Sequence, residues 1–519
     1  MTAPLLAPGY LLVRDAVSTP RSYPTDSALG LGETAPRAVP QDLAVATLSA
    51  VLDGGVVVKA ILIVALLLAG WGAGRLAAQL LPEAGVPGQL VAVTLAVWNP
   101  YVAERLLQGH WSLLLGYGAL PWVAAAMLRT DWAALVFWMA LAGLTPTGLM
   151  LAAVLALVCA RTLRSAAAAM GIAVAAALPW LTASLLGTAL SASQSAGLTP
   201  FAARAEPGLG TLGSLAGLGG LWNADAVPPS RTTAFAIAGT AVLLGVVALG
   251  AVVVVRKPAA RPLLILAVAA VLLPAAMATG PGLTALRTMV DSLPGLAVLR
   301  DGQKWVALAM PGYALAGAGA VLTLRRWVRP GVSSLVCVAA MIAVLPDLAW
   351  GVGGRIAPVH YPPQWAAAAA EINADPRTVV ALPPDSMRRF SWAGPAPVLD
   401  PLPRWVRADV LTTGDLIVGG RTVSGEGSHA REVQRLLASG ADDAQLAVAG
   451  VGWLLDEDVM TLRRIGGTTP VAPQWKRSAG ILAHLVWAGL LIGGAIRMVA
   501  GGRRLSRPRQ RLGPRPVQR

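Results

Sequence analysis

Three short polar clusters interrupt a chain otherwise dominated by apolar runs. They are Arg14-Asp15, Glu104-Arg105 with Gln108 and His110, and Arg300-Asp301-Gly302-Gln303-Lys304, the last directly before Trp305. Each combines a cation with a carboxylate. Arginine grips a phosphate through two parallel donors, and lysine acts on it as a point charge. A carboxylate close by can take a proton from a hydroxyl. These residue types suit sugar transfer from a polyprenyl phosphate to a hydroxyl acceptor, because the departing phosphate needs its charge stabilised. Under this reading Asp15 is the base, and Glu104 orients the acceptor or the base. Arg105, Arg300 and Lys304 hold the phosphate, with His110 and Asp301 completing the substrate-binding set.

Structural readings stand beside these. Asp15 could pair with Arg14, and Glu104 could neutralise Arg105 at a helix end. His110 could be an interfacial polar residue, and the 300–304 cluster an anchor that snorkels to the membrane surface. Trp98, Trp111, Trp122 and Trp305 fit an aromatic belt. The four histidines and two cysteines show no metal spacing and no CxxC pair. No cofactor is called for, and the need for a divalent cation is left open.

The elements that must carry these clusters follow from composition. The 519 residues are 55% hydrophobic and only 13% charged, with a mean hydropathy of +0.63. A soluble chain carries roughly a quarter of its residues as charges. Repeated apolar runs instead indicate an all-α polytopic membrane protein. The net charge of +15 raises the question of nucleic acid. The basic residues, however, lie between apolar runs and in an Arg497–Arg519 tail with eight arginines and no acid, a membrane-topology pattern. Nucleic acid is not an expected partner; membrane lipid is.

Eleven spans are expected, near 56–82, 87–107, 111–128, 132–145, 147–163, 166–188, 233–255, 260–279, 305–324, 331–351 and 478–498. The run 132–163 is divided at Thr145-Pro146-Thr147-Gly148, since Pro and Gly break a helix. That division puts Arg129, Arg161 and Arg164 on one side. With Arg256-Lys257, Arg325-Arg326 and the C-terminus they mark the cytoplasmic face. The stretch Trp98–Trp122 is then a hairpin whose polar turn faces water on the opposite, exoplasmic face. The helix expected over Gly282–Val298 lies along the interface, and Gly208–Gly220 is a flexible loop.

Leu5–Val13 resembles the last turns of a membrane helix, so residues 1–55 are expected to be a truncated first helix and exoplasmic loop. Residues 56–351 form the helical domain, 352–477 an exoplasmic soluble domain, 478–498 the last span and 499–519 a basic cytoplasmic tail. The soluble segment balances thirteen acids against thirteen bases. Its pattern predicts helices at Pro363–Asn373 and Ala430–Ala438, with strands at Thr378–Leu382 and Leu446–Leu455. That makes a small α/β or α+β domain.

This organisation resembles the GT-C superfamily of polyprenyl-phosphate-sugar-dependent glycosyltransferases. The segments GYLLVRDAVSTP, WNPYVAERLLQGHWSLLLGY and LRDGQKW also resemble actinobacterial integral membrane proteins related to cell-envelope arabinosyl- and mannosyltransferases. The resemblance implies a plasma-membrane enzyme using a polyprenyl-phosphate sugar as donor and an envelope glycan or glycolipid as acceptor. It places the family's first-loop carboxylate on Asp15. Many members have two adjacent acids there, whereas this chain reads Arg14-Asp15-Ala16. A non-catalytic scaffold of envelope synthesis is the alternative, and a transporter the third reading.

Overall fold

A computed structural model describes residues 1–505 except 34, 188–196, 385, 419 and 469–470. Six helices are long and apolar enough to cross a membrane: Gly54–Leu80, Trp111–Arg129, Leu163–Leu186, Phe235–Val254, Gly302–Leu324 and Gln474–Ala500. Counting each sharply bent helix pair as one span gives eight. The chain is a multi-pass helical membrane protein. Large apolar side chains such as Leu67, Ile265, Leu273, Leu335, Leu482 and Leu485 are exposed on these helices, as surfaces facing lipid tails must be.

The expected eleven spans are not reached, and helix length explains the difference. Gly85–Val97, Trp132–Ala142 and Pro146–Cys159 hold 13, 11 and 14 residues. At about 1.5 Å per residue, none reaches the ~30 Å of a bilayer core. The expected span 87–107 breaks at Trp98, because Asn99 caps a new helix, Pro100–Leu107, by accepting from Val102 N. Asn99 also donates to the Leu95 and Ala96 carbonyls and to the Tyr117 hydroxyl. The polar stretch is therefore built into the protein instead of lying in water; Asn99, Glu104 and Arg105 are all 0% exposed.

Residues 1–13 are not the end of a membrane helix. Pro4, Pro8 and Gly9 limit helix to a 3-10 turn at Ala3–Leu6, after which the chain extends. It forms a hairpin of β1 (Leu12–Val13) and β2 (Ala16–Val17). This segment ties the parts together. Lys59 Nζ donates to Ala7 O, and the Tyr10 hydroxyl donates to Asp53, the cap of helix Gly54–Leu80. Tyr10 and Val359 exchange backbone hydrogen bonds, and the Tyr361 hydroxyl donates to Ser18 O.

Beyond Val359 lie β3 (Val379–Leu382), β4 (Met387–Arg388), β5 (Val398–Leu399), β6 (Val410–Leu411), β7 (Leu416–Val418), β8 (Arg421–Val423), β9 (Trp453–Asp456) and β10 (Thr461–Arg464). Four of them form one sheet in the order β10-β9-β3-β6, with β3 parallel to both β6 and β9. Helices Pro363–Ala374 and Ser428–Ala438 accompany it, and Trp365 and Ile372 are buried with Val379 and Trp453 in one core. The expected strand Leu446–Leu455 divides in two. Asp442 and Gln445 make a capping box that starts helix Asp443–Val448, and only Trp453 onward is extended.

Residues Gly208–Gly220, expected to be a loose loop, include helix Gly210–Ala216. Glu206 and Arg231 clamp this segment in a buried ion pair, with Arg231 also donating to Thr240 and to Ala236 O. A buried charge left without its partner costs about 3–5 kcal/mol. Glu206→Ala should therefore lower the thermal stability of the detergent-purified protein by a similar amount. A melting temperature equal to that of wild type would show that the clamp is not needed.

Candidate functional site

The hairpin tip is two residues long, because Leu12 pairs with Val17 and Val13 with Ala16. Arg14 and Asp15 are those two residues. Arg14 sits at φ +48°, a left-handed conformation uncommon for a non-glycine residue. Its bonds hold it there: the guanidinium donates to Leu107 O (2.7 Å) and Asp225 O (2.6 Å). Its backbone bonds Pro397 O and Leu399 N beside β5. No Arg14–Asp15 ion pair occurs among the described residues. Asp15 is thus turned away from its neighbour and toward the 108–110 turn, with its N–H donating to Gln108 O.

Gly109 makes that approach possible. It has φ +81°, and a Cβ there would lie 2.3 Å from both Val13 O and Ala16 N. Any side chain would push the hairpin off the turn. With the two in contact, Asp15 Oδ2 accepts from Gln108 Nε2 (3.1 Å) and meets His110 Nε2 (2.9 Å). Asn223 Nδ2 in turn donates to Gln108 Oε1 and orients that amide.

His110 Nδ1 lies 3.0 Å from Arg105 Nη1. A guanidinium can only donate, so Nδ1 carries the lone pair. The proton is then on Nε2, aimed at Asp15, and the ring is neutral. Arg105 also binds Asp301 through two parallel hydrogen bonds of 2.9 and 3.1 Å, and it contacts Gln303 Oε1. Gln303 Nε2 donates to Glu104 Oε2 (3.1 Å), which also accepts from Leu221 N. Lys304 Nζ stands 3.8 Å from Asp301. One continuous network therefore joins all three sequence clusters.

The protonation preferences agree with this geometry. Burial by itself would raise the Asp15 carboxyl, but the hydrogen bonds from His110 and Gln108 outweigh it and hold it below the usual range. Burial favours neutral His110 and lowers its pKa despite Asp15, with Lys304 and Arg105 adding repulsion. Burial likewise opposes charge on Asp301, yet Arg105 and Lys304 hold it well below an ordinary carboxyl. The sign is the same for Asp15 and His110: their favourable states are present at neutral pH and are lost on acidification. For His110 the loss begins below 6.5, its ordinary value.

A cavity of about 1380 Å³ opens on this network, between the helical bundle and the sheet region. Asp15, His110, Arg300, Asp301 and Lys304 all line it. Glu104 and Arg105 do not: both are 0% exposed and lie behind the wall. Glu104 holds Gln303, and Arg105 holds Asp301, Gln303 and His110. Arg300 stacks over the Phe201 ring at 4.4 Å and has no ion pair or hydrogen bond among the described residues. Burial lowers its pKa to about 10, leaving it cationic at neutral pH.

Other side chains reach the cavity from outside the three clusters. Phe201 precedes and Trp222 and Asn223 follow the stretch Gly208–Gly220, and Arg388 and Asp400 come from two stretches of the sheet region that mix cations with aromatics, Arg388–Trp392 and Asp400–Trp405. Glu206 and Arg231 flank the glycine-rich stretch, which folds over Glu104 through Leu221 N. No group of three or more His, Cys, Asp or Glu side chains suited to a metal occurs among the described residues.

Fold and site together define a polytopic helical membrane protein with an acid–cation cavity at one end of its bundle. No protein-family model matches the chain, and no curated protein matches it by sequence. Among solved structures, it is similar to the cryo-EM structure of arabinofuranosyltransferase AftD from mycobacteria. The TM-score is 0.54 at 15% identity, over 89% of this chain and 35% of that one. A variant of AftD gives a TM-score of 0.49, also at 15% identity, over 88% and 35%. The chain thus spans about a third of the length of these proteins. The likeness is one of fold alone.

Replacing His110 by Ala removes the donor that most lowers the Asp15 pKa. Carbodiimide labelling of Asp15, followed by mass spectrometry across pH, should then show its midpoint shifted upward. An unchanged midpoint would mean that Gln108 and Lys304 suffice to set it.

Proposed function

We propose that the chain is an integral membrane glycosyltransferase. It moves a sugar from a polyprenyl phosphate to a cell-envelope glycan or lipid acceptor on the exoplasmic face of the plasma membrane. One observation carries this reading: Asp15, fixed by neutral His110, shares a cavity with Arg300 and Lys304. A proton acceptor and two cations are what attack by a hydroxyl and departure of a phosphate require. The fold likeness to an arabinofuranosyltransferase supports the same class.

The acceptor hydroxyl oxygen bonds to the anomeric carbon of the donor sugar as the bond from that carbon to the phosphate oxygen breaks. The hydroxyl proton passes to Asp15, and the polyprenyl phosphate leaves with the bonding electron pair. Arg300 and Lys304 stabilise the phosphate charge. Asp15 is a weak base at rest. Positive charge developing on the sugar makes the attacking hydroxyl more acidic, so a weak base accepts the proton late in the step. Glu104, Arg105, Gln303 and His110 are positioning residues.

The arrangement of basic residues orients the chain. Lys257 contacts Glu83, so the turns after Leu80 and Val254 meet at one end of the bundle. This end is cytoplasmic by the positive-inside rule. Asp53 starts the same helix, Gly54–Leu80, beside Tyr10, and so belongs to the cavity end. The cavity end and residues 352–477 are then exoplasmic, the helix Gln474–Leu505 is the last span, and the basic tail is cytoplasmic.

Asp15→Asn should abolish transfer, with a loss of about 10²–10⁴-fold, the usual contribution of a general base. The measurement is lipid-linked and envelope glycan composition in a depletion strain complemented by wild type or variant, with membrane insertion verified. Full complementation by Asp15→Asn would overturn the enzyme reading. If that variant complements while deletion of residues 352–477 does not, a scaffold role is favoured. Lys304→Ala and Arg300→Ala should each weaken donor use while leaving acceptor affinity unchanged.

A further inference from the structure

The sheet region contributes a second polar constellation to the cavity, and the transfer step does not use it. Arg388 in β4 lines the cavity and is 5% exposed. Its Nε donates to Glu457 (2.7 Å), and its Nη2 lies 3.5 Å from Asp400 Oδ2. Its Nη1 has no hydrogen-bond partner among the described residues. Asp400, also on the cavity, is 6% exposed, and its Oδ1 accepts from Leu402 N. Arg389 is exposed beside them on the same wall.

Charge narrows what such a wall can take. Burial, reinforced by Asp400, pushes the Glu457 carboxyl up to about 9, so it carries a proton at neutral pH. One guanidinium then faces one carboxylate, and this buried pair is neutral, with the Arg389 charge in solvent beside it. An anion drawn to Arg388 would meet Asp400 at once. A neutral polyhydroxyl ligand would not, because each sugar hydroxyl both donates and accepts: it can bond Arg388 Nη1 and give its proton to Asp400. An orphaned buried donor costs about 1–3 kcal/mol, which such a ligand would relieve.

Location and size agree. Arg14 hydrogen-bonds Pro397 O and Leu399 N, so Asp15 and Asp400 each lie one residue from the same backbone contact. A cavity of about 1380 Å³ exceeds the roughly 300–1,000 Å³ of single-ligand pockets. It has room for a sugar phosphate and for more than one acceptor sugar.

We propose that Arg388 and Asp400, with Arg389, form a subsite for a neutral sugar one unit behind the acceptor hydroxyl, so that the acceptor is a glycan at least two residues long. This rests on the transferase reading for its role, but the binding can be tested alone. The full chain in lipid nanodiscs is titrated with neutral pentofuranose and hexopyranose probes, monosaccharides and linear oligomers alike. The readout is quenching of tryptophan fluorescence, since Trp111 and Trp222 line the cavity.

The expected result is an affinity gain of about tenfold, near 1.4 kcal/mol, from monosaccharide to disaccharide in at least one series. Arg389→Ala and Asp400→Asn should each remove most of that gain. Asp400→Asn keeps an acceptor for Leu402 N, and Arg389 is exposed; if Asp400→Asn misfolds, Arg389→Ala decides. Equal affinity for monomer and oligomer, no binding of any probe at millimolar concentration, or a gain that survives Arg389→Ala would overturn the subsite. Asp15→Asn should bind the oligomers normally. If it also complements in cells while Arg389-dependent binding persists, the transferase reading fails and the subsite stands.

Discussion

A guanidinium sealed from solvent sets the terms for everything around it. Arg105 is fully buried, and leaving such a charge unpaired would cost several kcal/mol. Asp301 meets it through two parallel hydrogen bonds, the geometry in which arginine binds a carboxylate most strongly. The two residues are 196 positions apart, so the pair fixes helix Pro100–Leu107 against the segment that begins at Gly302. The same guanidinium has donors to spare, and it can only donate. One of them defines the lone pair on His110, and through His110 the direction of the proton offered to Asp15. A structural ion pair thereby determines the protonation state of a residue on the cavity surface.

The sequence made the polar clusters visible because charge is rare in this chain, and it brought Asp15, His110, Arg300, Asp301 and Lys304 forward as candidates. All five line one cavity. It could not assign depth. Glu104 and Arg105 are adjacent to Gln108 and His110 in sequence, yet they face the interior while the others reach the cavity. Which face a helical residue presents depends on what packs over it, here Leu221 and Gln303 from distant segments. Six to eight of the eleven expected spans are matched by helices long and apolar enough to cross, for a related reason. Hydropathy registers that 132–163 is apolar, but helices of 11 and 14 residues can be apolar because they are packed inside the protein. Leu135, Leu151 and Leu155 are indeed fully buried.

The extended N-terminal segment was the least legible part. Leu5–Val13 has the composition of a membrane helix, and only Pro4, Pro8 and Gly9 argue against it. What decides is tertiary: Tyr10 pairs with Val359, and Arg14 bridges Val398. Strand pairing at such separation has no local signature. The same holds for the φ of Arg14, which would be costly in isolation and persists because four hydrogen bonds from two regions determine it.

These contacts give the sheet region a part in placing Asp15. The hairpin that presents Asp15 is held on one side by Gly109 and Gln108 of the bundle and on the other by β5 of the sheet region. A shift of the sheet relative to the bundle would therefore move Asp15 away from His110 before it disturbed the buried Arg105–Asp301 pair. The cations and the carboxylate on the cavity answer to different parts of the molecule: Lys304 and Arg300 to the bundle, Asp15 to the junction. The wall that carries Arg388 and Asp400 is joined to the hairpin of Asp15 by the two backbone hydrogen bonds of Arg14, to Pro397 O and from Leu399 N.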